Sequence, residues 1–169
     1  MKSFEDFRIA ALDHVSESVK ETSSTPPPHF LRQNHAGGFV LVGPIWQDDA
    51  EKRDAPRLMK TWIREQRPEQ IAFVKETFQV SNPTEADLLI RPSEHPRRRH
   101  LVSAWFFRRG SRQSEVWEAD VLKDDDGRVR LGEWRALDPK EFDWSGELFD
   151  PVLEAMSEKT PGWRRLLGL

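Results

Sequence analysis

The chain has 169 residues, of which 37% are hydrophobic and 33% are charged, so it is long enough to bury one core and is expected to be soluble and polar for a globular domain. The sequence contains no cysteine, which excludes disulfides, zinc–thiolate sites and a thiol nucleophile. A net charge of −3 argues against a surface that generally binds nucleic acid or anionic lipid.

The N-terminus predicts the location of the protein. No apolar run is long enough to form a transmembrane helix. Glu5, Asp6 and Asp13 interrupt the N-terminal apolar pattern, whereas a signal peptide needs an uncharged apolar core. The sequence therefore predicts a cytoplasmic protein that does not bind membranes.

The first quarter of the chain predicts a helix, a linker and a strand. Ser3 is a suitable N-cap with Asp6 as a variant of the capping box, and apolar residues at helical spacing extend the helix over residues 1–22. Residues 23–36 are rich in Ser, Thr and Pro, which predicts a linker. The continuous apolar run over residues 39–42 predicts a buried strand.

The middle of the chain predicts a second helix and then an antiparallel meander. Asp54 is a suitable N-cap and Pro56 suits a first helical turn, so the helix is predicted to begin there and to end near Pro68. Four β-like segments follow, at residues 71–80, 101–107, 115–122 and 128–134. Asp126-Gly127 is a hairpin turn signal, which predicts that the last two segments pair.

Together these elements predict a single α+β domain over residues 1–169, with a five-strand mixed, mainly antiparallel sheet and helices on one face. Residues 37–138 form the predicted α+β core. Residues 139–169 are a predicted C-terminal packing tail, within which a short helix runs from Asp150 to Met156.

Three segments carry a resemblance to a known family. They are FVKETF at residues 73–78, PSEHPRR at 92–98 and VLKDDDGRV at 121–129. The region that they span resembles small uncharacterised bacterial and phage proteins with a strand that ends in a Glu-Ala-Trp-like triplet, a PSxHPxR-like link and a C-terminal β-meander. Here Glu76-Thr77-Phe78 stands where the acidic-small-Trp triplet is usual. The resemblance implies an accessory protein of phage or mobile-element origin, without a defined activity.

Glu76 is the ionisable residue that the pattern singles out. It lies on the apolar face of a predicted strand, so its carboxyl group needs a partner from residues 91–100 or must be protonated. A structural ion pair is the favoured interpretation; the alternative is a general base that acts with His95 in a hydrolase. Glu76, His95 and His100 could also bind a metal, but the intervening arginines repel a divalent cation, so no metal site is predicted.

Residues 91–99 form the candidate ligand-binding loop. Its arginines, Arg91, Arg97, Arg98 and Arg99, favour bidentate contacts with phosphate or carboxylate groups. The alternative is a solvated loop whose arginines pair with acidic residues of the chain, which the net charge of −3 favours.

Sequence motifs limit the possible functions of the chain. The sequence has no nucleophile with an adjacent base, no phosphate-binding glycine loop and no cofactor motif, so no cofactor is predicted. These observations favour a non-enzymatic interaction or accessory protein that binds an unknown protein partner. Two alternatives stay open: a nucleic-acid or phosphate-ligand binder that uses residues 91–99, and a hydrolase centred on Glu76 and His95.

Overall fold

Three α-helices and one antiparallel sheet make up the part of the chain that the computed structural model describes, which is residues 3–34, 38–43, 46, 48–111, 114–138 and 149–158. In chain order the elements are α1 (Phe4–Thr22), β1 (His29–Gln33), β2 (Phe39–Val42), α2 (Asp49–Gln66), β3 (Gln70–Gln79), a short 3₁₀ turn (Asp87–Leu89), β4 (Arg99–Arg108), β5 (Ser114–Lys123), β6 (Val129–Leu131), β7 (Arg135–Ala136) and α3 (Asp150–Ser157). The predicted α+β class is confirmed. None of these helices is long and apolar enough to cross a membrane.

Helix α1 begins where the sequence predicts. The backbone N–H of Asp6 donates to Ser3 Oγ at 3.0 Å, and the backbone N–H of Ser3 donates to Asp6 Oδ2 at 3.0 Å, which completes a capping box. Ser23 ends the helix with a left-handed backbone conformation at φ +53°. The buried residues of the helix are Phe7, Ala11, Leu12, Val15 and Val19.

Strand β1 occupies part of the segment that the sequence predicts as a linker. It lies between β2 and β3 and pairs antiparallel with both. Phe30 and Leu31 are buried in the two opposite cores of the molecule. The prediction of a linker over residues 23–36 is therefore wrong at this strand. The sequence does not reveal β1, because three prolines dominate the local composition and only two large apolar residues mark the strand.

Strand β2 lies at an edge of the sheet, so the predicted burial of residues 39–42 is wrong. Its neighbour is β1, and Leu41 is 54% exposed. An apolar run alone does not distinguish a central strand from an edge strand, because its pairing depends on the rest of the fold.

Helix α2 begins earlier than predicted. Asp48, rather than Asp54, is the N-cap, and its Oδ1 accepts two backbone N–H groups at 2.8 Å. Pro56 consequently lies inside the helix and not in its first turn. Met59 and Ile63 are buried one helical turn apart, and their packing stabilises the helix beyond the proline.

The hairpin between β5 and β6 confirms the turn prediction. Gly127 adopts φ +81°, and its N–H donates to the carbonyl oxygen of Asp124 at 2.8 Å. The Asp124 N–H donates in turn to the carbonyl oxygen of Arg128 at 2.9 Å, so the turn is a three-residue hairpin loop with its glycine in the left-handed region. Lys123 on β5 pairs with Val129 on β6, one residue beyond each end of this closing hydrogen bond.

The last predicted strand is divided into two short strands, so residues 128–134 are not continuous. Both β6 and β7 pair with β5, but the register of β7 is shifted by one residue relative to β6. The extra residue forms a bulge in the region of Gly132, whose N–H donates to the carbonyl oxygen of Asp120 at 2.9 Å. With β1 and β7 added, the described sheet has seven strands instead of the predicted five, and all its pairings are antiparallel rather than mixed.

Helices cover both faces of the sheet, which corrects the prediction of helices on one face. Helix α1 packs on Leu31, Ala72, Val74, Val102, Ala104 and Phe106. Helices α2 and α3 pack on Phe30, Ile71, Phe73, Trp105, Phe107 and Val116. Because β3 and β4 are apolar on both faces, each face needs a covering layer.

The predicted C-terminal helix is confirmed as α3. Residues 139–148 and 159–169 of the predicted packing tail lie outside the described residues.

Candidate functional site

Glu76 contacts His100, as the strand pattern predicts. His100 Nε2 lies 2.5 Å from Glu76 Oε1, which also accepts a hydrogen bond from Thr25 Oγ1 at 2.8 Å. The imidazole ring stacks on Phe78 with a centroid separation of 4.7 Å. The two side chains are about one-third exposed, so Glu76 is only partly buried. The prediction of a partly buried carboxylate with a partner from residues 91–100 is confirmed.

His95 has a structural role. Its side chain is 2% exposed, and its Nδ1 accepts the backbone N–H of Arg97 at 3.0 Å, so this nitrogen carries no proton. Its Nε2 donates to Asp87 Oδ1 at 2.8 Å. Both ring nitrogens of His95 therefore form hydrogen bonds within the loop. The carboxylate partner of His95 is Asp87 and not Glu76.

Asp87 organises the segment between β3 and β4, residues 80–98, which we call the Asp87 loop. Its Oδ2 accepts the backbone N–H of Thr84 at 2.7 Å, the Thr84 hydroxyl at 2.9 Å and Arg97 Nη2 at 2.5 Å. The pKa of Asp87 lies well below its usual range, because its carboxylate accepts hydrogen bonds from the Thr84 amide, which has the largest effect, and from His95 and the Thr84 hydroxyl. Sequence reasoning missed Asp87 because His95 and Arg97 follow it at no regular spacing and approach it only when the chain folds back.

The Asp87 loop presents three consecutive aliphatic residues to solvent. Leu88 is 72% exposed, Leu89 is 89% exposed and Ile90 is 42% exposed. We call these three residues the apolar tip. The Ile90 N–H donates to the carbonyl oxygen of Asp87 at 3.1 Å, which fixes the tip to the residue that organises the loop. Single exposed aliphatic residues are ordinary, whereas a contiguous apolar group on a fixed turn is typical of a contact surface.

Two of the four arginines predicted to bind a ligand are in ion pairs. Arg97 binds Asp87, and Arg99 Nη2 lies 2.8 Å from Asp120 Oδ1. The carboxylates neutralise these guanidinium groups and leave fewer of their donors for a phosphate.

The other two arginines have no ion pair with any residue that the structure describes. Arg91 is exposed and directly follows the apolar tip in the chain. Arg98 lies over the ring of Phe78, with 5.9 Å between Cζ and the ring centroid, and Nη1 donates to the carbonyl oxygen of His95 at 3.4 Å. Arg91 and Arg98 are the cations of the loop that are free to pair with another molecule.

A second set of polar side chains lies across four strands, on the face of the sheet that α2 and α3 cover. Lys75, Ser103, Glu118 and Arg135 are successive cross-strand neighbours on β3, β4, β5 and β7, and we call them the polar row. Residues that pair directly across strands point to the same face of a sheet. Sequence reasoning assigned no role to this set, because the row exists only once the register of four strands is known.

Glu118 is the most buried member of the polar row with an ionisable side chain. It is 3% exposed, and its polar contacts are long: 3.5 Å to Ser103 Oγ and 3.9 Å to Arg135 Nη2. Burial raises the pKa of the Glu118 carboxyl group, and the positive charges of Arg135 and Arg99 oppose this effect. Ser103 Oγ also lies 3.0 Å from Thr77 Oγ1, so the Ser103 hydroxyl group contacts both Thr77 and Glu118.

Comparison of the chain with known protein families, with curated proteins and with solved structures finds no match. The resemblance to small bacterial and phage proteins therefore stays a prediction. Within the described ranges, no group of three His, Asp or Glu side chains is arranged to hold a metal ion.

Proposed function

We propose that this chain is a non-enzymatic interaction protein that binds a different protein through the apolar tip of the Asp87 loop. The observation that carries this proposal is the exposure of Leu88, Leu89 and Ile90 on a turn that Asp87 fixes. A cytoplasmic setting and an accessory role of phage or mobile-element origin belong to the same proposal.

The energetics favour the apolar tip as a binding element. Burial of an exposed leucine side chain contributes roughly 1.5–3 kcal/mol, so Leu88 and Leu89 could supply most of the affinity of a small interface. The hydrogen bonds of Asp87 order the loop before a partner arrives, which lowers the entropy lost on binding. A tip of this kind fits an apolar groove on the partner.

The charge next to the tip defines the partner further. Arg91 follows Ile90 directly, is exposed and has no ion-pair partner within the described ranges. A carboxylate at the edge of the groove would satisfy this guanidinium group and fix the orientation of the loop. We therefore expect a partner with an apolar groove and an acidic residue beside it.

Two observations make a protein partner a better fit than nucleic acid. Arg97 and Arg99 already bind Asp87 and Asp120, which reduces the positive charge that residues 91–99 can offer to phosphate groups. Leu88 and Leu89 are 72% and 89% exposed on the Asp87 loop, and aliphatic side chains gain little from contact with a phosphate backbone.

Site-specific photocrosslinking in cells tests the proposal. A photoreactive benzoylphenylalanine at position 89 should form a crosslink to one protein, while the same group at Leu58, which is 55% exposed on α2, should not. The crosslinked peptide of the partner should contain apolar residues and at least one Asp or Glu. Crosslinks to nucleic acid, to a second copy of this chain, or equally from both positions would contradict the proposal.

Affinity measurements with the captured partner test the role of each side chain. Leu88→Ser/Leu89→Ser should weaken binding by about 100-fold or more, since two buried leucines are lost. Ile9→Ser/Leu58→Ser is the matched control, because these residues are 51% and 55% exposed elsewhere on the surface. Arg91→Glu should weaken binding most at low salt, because it places two acidic groups together. An unchanged affinity in the Leu88→Ser/Leu89→Ser variant would overturn the proposal.

A further inference from the structure

A cleft lies between α1 and the segment that leads into β1, and Leu41 of β2 also lines it. Its volume is about 130 Å³. Val15, Val19 and His29 are buried residues of its lining, whereas Leu41 is 54% exposed. The cleft therefore reaches from the surface to buried side chains of the fold, and we call it the His29 cleft.

His29 places an acceptor at the buried end of this cleft. Its side chain is 3% exposed, and its Nδ1 lies 2.7 Å from the carbonyl oxygen of Pro27. A carbonyl oxygen only accepts hydrogen bonds, so Nδ1 carries the ring proton. In the neutral ring, Nε2 then has a lone pair and no proton. Burial lowers the pKa of His29, so the neutral ring predominates at neutral pH.

This acceptor is open. His29 Nε2 forms no hydrogen bond with any described residue, although solvent still reaches it. Thr22, Ser24 and Thr25 also line the cleft, but their hydroxyl groups already donate to other groups of the chain. A buried acceptor without a donor costs free energy, which a ligand with a donor group recovers.

The walls of the His29 cleft define the size and polarity of a ligand. Its apolar surface comes from Val15, Val19, Pro26, Pro27 and Leu41. Among the described residues that line the cleft there is no Asp, Glu, Lys or Arg, so a charged ligand would lose its hydration without gaining a permanent counter-charge. A dry apolar cavity of roughly 150 Å³ holds one benzene molecule, so a cleft of this size suits a single six-membered ring.

We propose that the His29 cleft binds a small, uncharged ring compound whose hydroxyl group donates to His29 Nε2, and that phenols are the best members of this class. A phenol is more acidic than an aliphatic alcohol and is therefore the stronger donor. Water also donates to Nε2, but it leaves the apolar walls uncovered, whereas an aromatic ring covers them. The site is separate from the Asp87 loop and does not depend on the apolar tip.

A divalent metal ion is the other partner that a histidine lone pair accepts. His14 is a second imidazole of the cleft, but its ring stacks on Phe39 with 5.0 Å between centroids. A zinc site takes three or four protein ligands, and no carboxylate is present among the described residues that line the cleft. An O–H donor therefore fits this cleft better than a metal ion does.

Nuclear magnetic resonance of the full chain, labelled with ¹⁵N and titrated with phenol at neutral pH, tests the proposal. The two-bond ¹H–¹⁵N spectrum of the imidazole rings shows which nitrogen carries the proton and whether the other accepts a hydrogen bond. Phenol should move the Nε2 signal of His29 away from the value of a free acceptor nitrogen. The signals of His95 and His100, which lie outside the cleft, should stay unchanged.

Two matched ligands separate the parts of the inference. Toluene has the size of phenol but no donor, so it should leave the Nε2 signal of His29 unmoved. Benzoate has the same ring but needs a donor, which the neutral His29 ring does not offer at Nε2, so benzoate should bind more weakly than phenol.

The variant His29→Leu measures the contribution of the acceptor. It should weaken the binding of phenol by about tenfold, the usual effect of one hydrogen bond to a buried group, without weakening the binding of toluene. His14→Gln is the matched control, because it removes the other imidazole of the cleft and should leave the affinity for phenol unchanged. The methyl signals of Val15 and Val19 report binding in every variant.

Three results with the natural chain would overturn the proposal, and they hold even if a variant fails to fold. One is that phenol leaves the Nε2 signal of His29 unmoved. Another is that benzoate binds more tightly than phenol, which would show that the cleft takes an anion. The third is that Zn²⁺ moves the signals of His14 and His29 at concentrations lower than those that phenol needs, which would show a metal site.

Discussion

His29 shows how burial of one residue makes the stability of this protein depend on pH. It is 3% exposed at the start of β1, and its Nδ1 donates to the carbonyl oxygen of Pro27 at 2.7 Å. Burial lowers the pKa of His29, and the hydrogen bond to Pro27 opposes this effect only in part. The unfolded chain therefore binds a proton at about pH 6.5 that the folded chain does not yet bind, so acidification favours the unfolded state.

We expect the free energy of unfolding to decrease as the pH falls from about 7 to about 5, and to decrease less in His29→Gln. Urea unfolding of both proteins at a series of pH values measures the difference. His14→Gln is the control: His14 is exposed, and its charge is a smaller cause of the lowered pKa of His29 than burial is. An equal pH dependence in the natural chain and in His29→Gln would show that another group titrates.

Glu76 and Asp87 illustrate which side-chain contacts a sequence reveals. The alternation of apolar residues along one strand places Glu76 on a face, and the next strand begins shortly after residues 91–98, so a contact with this region can be predicted. Asp87 lies in a segment without periodicity, and its partners come from both sides of it along the chain. The position of Asp87 follows from the fold of a long loop, which local pattern does not determine.

The same distinction holds for whole elements. The start of α1 and the β5–β6 hairpin could be predicted because Ser3 with Asp6, and Asp126 with Gly127, act on backbone groups within a few residues of themselves. Strands β1 and β7 could not, since each is short and forms through pairing with strands distant in sequence. The sequence predicts the start of α2 too late, because Asp54 and Pro56 are residue types typical of a helix start but lie inside this helix, which packing stabilises.

The β5–β6 hairpin depends on the backbone of Gly127. Its φ of +81° is one that side-chain-bearing residues adopt at a cost, and an added Cβ would meet no atom within 4 Å. We expect Gly127→Ala to lower the free energy of unfolding by roughly 1–2 kcal/mol through backbone strain alone. Gly132→Ala is the control, since an added Cβ there makes ordinary contacts at 3.6 Å. Urea unfolding of both variants measures this, and equal effects would contradict the strain argument.

The Asp87 loop depends on one carboxylate. Asp87→Ala should release residues 84–97, because the Thr84 amide, His95 and Arg97 all lose their acceptor. Hydrogen exchange measures this as a loss of protection at the N–H of Arg97, which bonds to His95 Nδ1. In the natural chain the free energy of opening the loop should begin to decrease as the pH falls below about 4, because Asp87 takes up a proton there in the opened loop while its lowered pKa keeps it ionised in the closed loop.

Asp126→Ala is the matched control for this measurement, because Asp126 is an exposed acid in the β5–β6 hairpin. Protection at Arg97 that survives Asp87→Ala would show that the backbone alone orders the loop. The apolar tip would then be less well ordered before binding than the proposed function requires.

The part of the molecule that the structure describes is a sheet between two unlike layers of helices. The face under α1 carries small residues such as Ala72 and Ala104, which allow a helix to approach closely, whereas the face under α2 and α3 carries the larger rings of Phe73 and Trp105. Strands β3, β4 and β5 each contribute to both cores, so neither core can form without the same set of strand pairings. We therefore expect the described elements to unfold together.

Helix α1 provides the sharpest test of this two-layer architecture. Phe7 is fully buried, and its ring lies 6.0 Å from that of Phe39 and 6.1 Å from that of Phe106 between centroids. We expect Phe7→Ala to lower the free energy of unfolding by roughly 3–5 kcal/mol, because it removes a large side chain and leaves a cavity. Ile9→Ala, two residues along the same helix at a position that is 51% exposed, should change it by less than about 0.5 kcal/mol.

Thermal and urea unfolding followed by tryptophan fluorescence and by far-UV circular dichroism would measure both variants. The two signals should report one coincident transition that includes both cores, since Trp105 belongs to the core under α2 and α3 while Trp117 and Trp134 pack against the core under α1. A small effect of Phe7→Ala, similar to that of Ile9→Ala, would mean that α1 does not pack on the sheet. Two separate transitions would mean that the layers are not coupled through the shared strands.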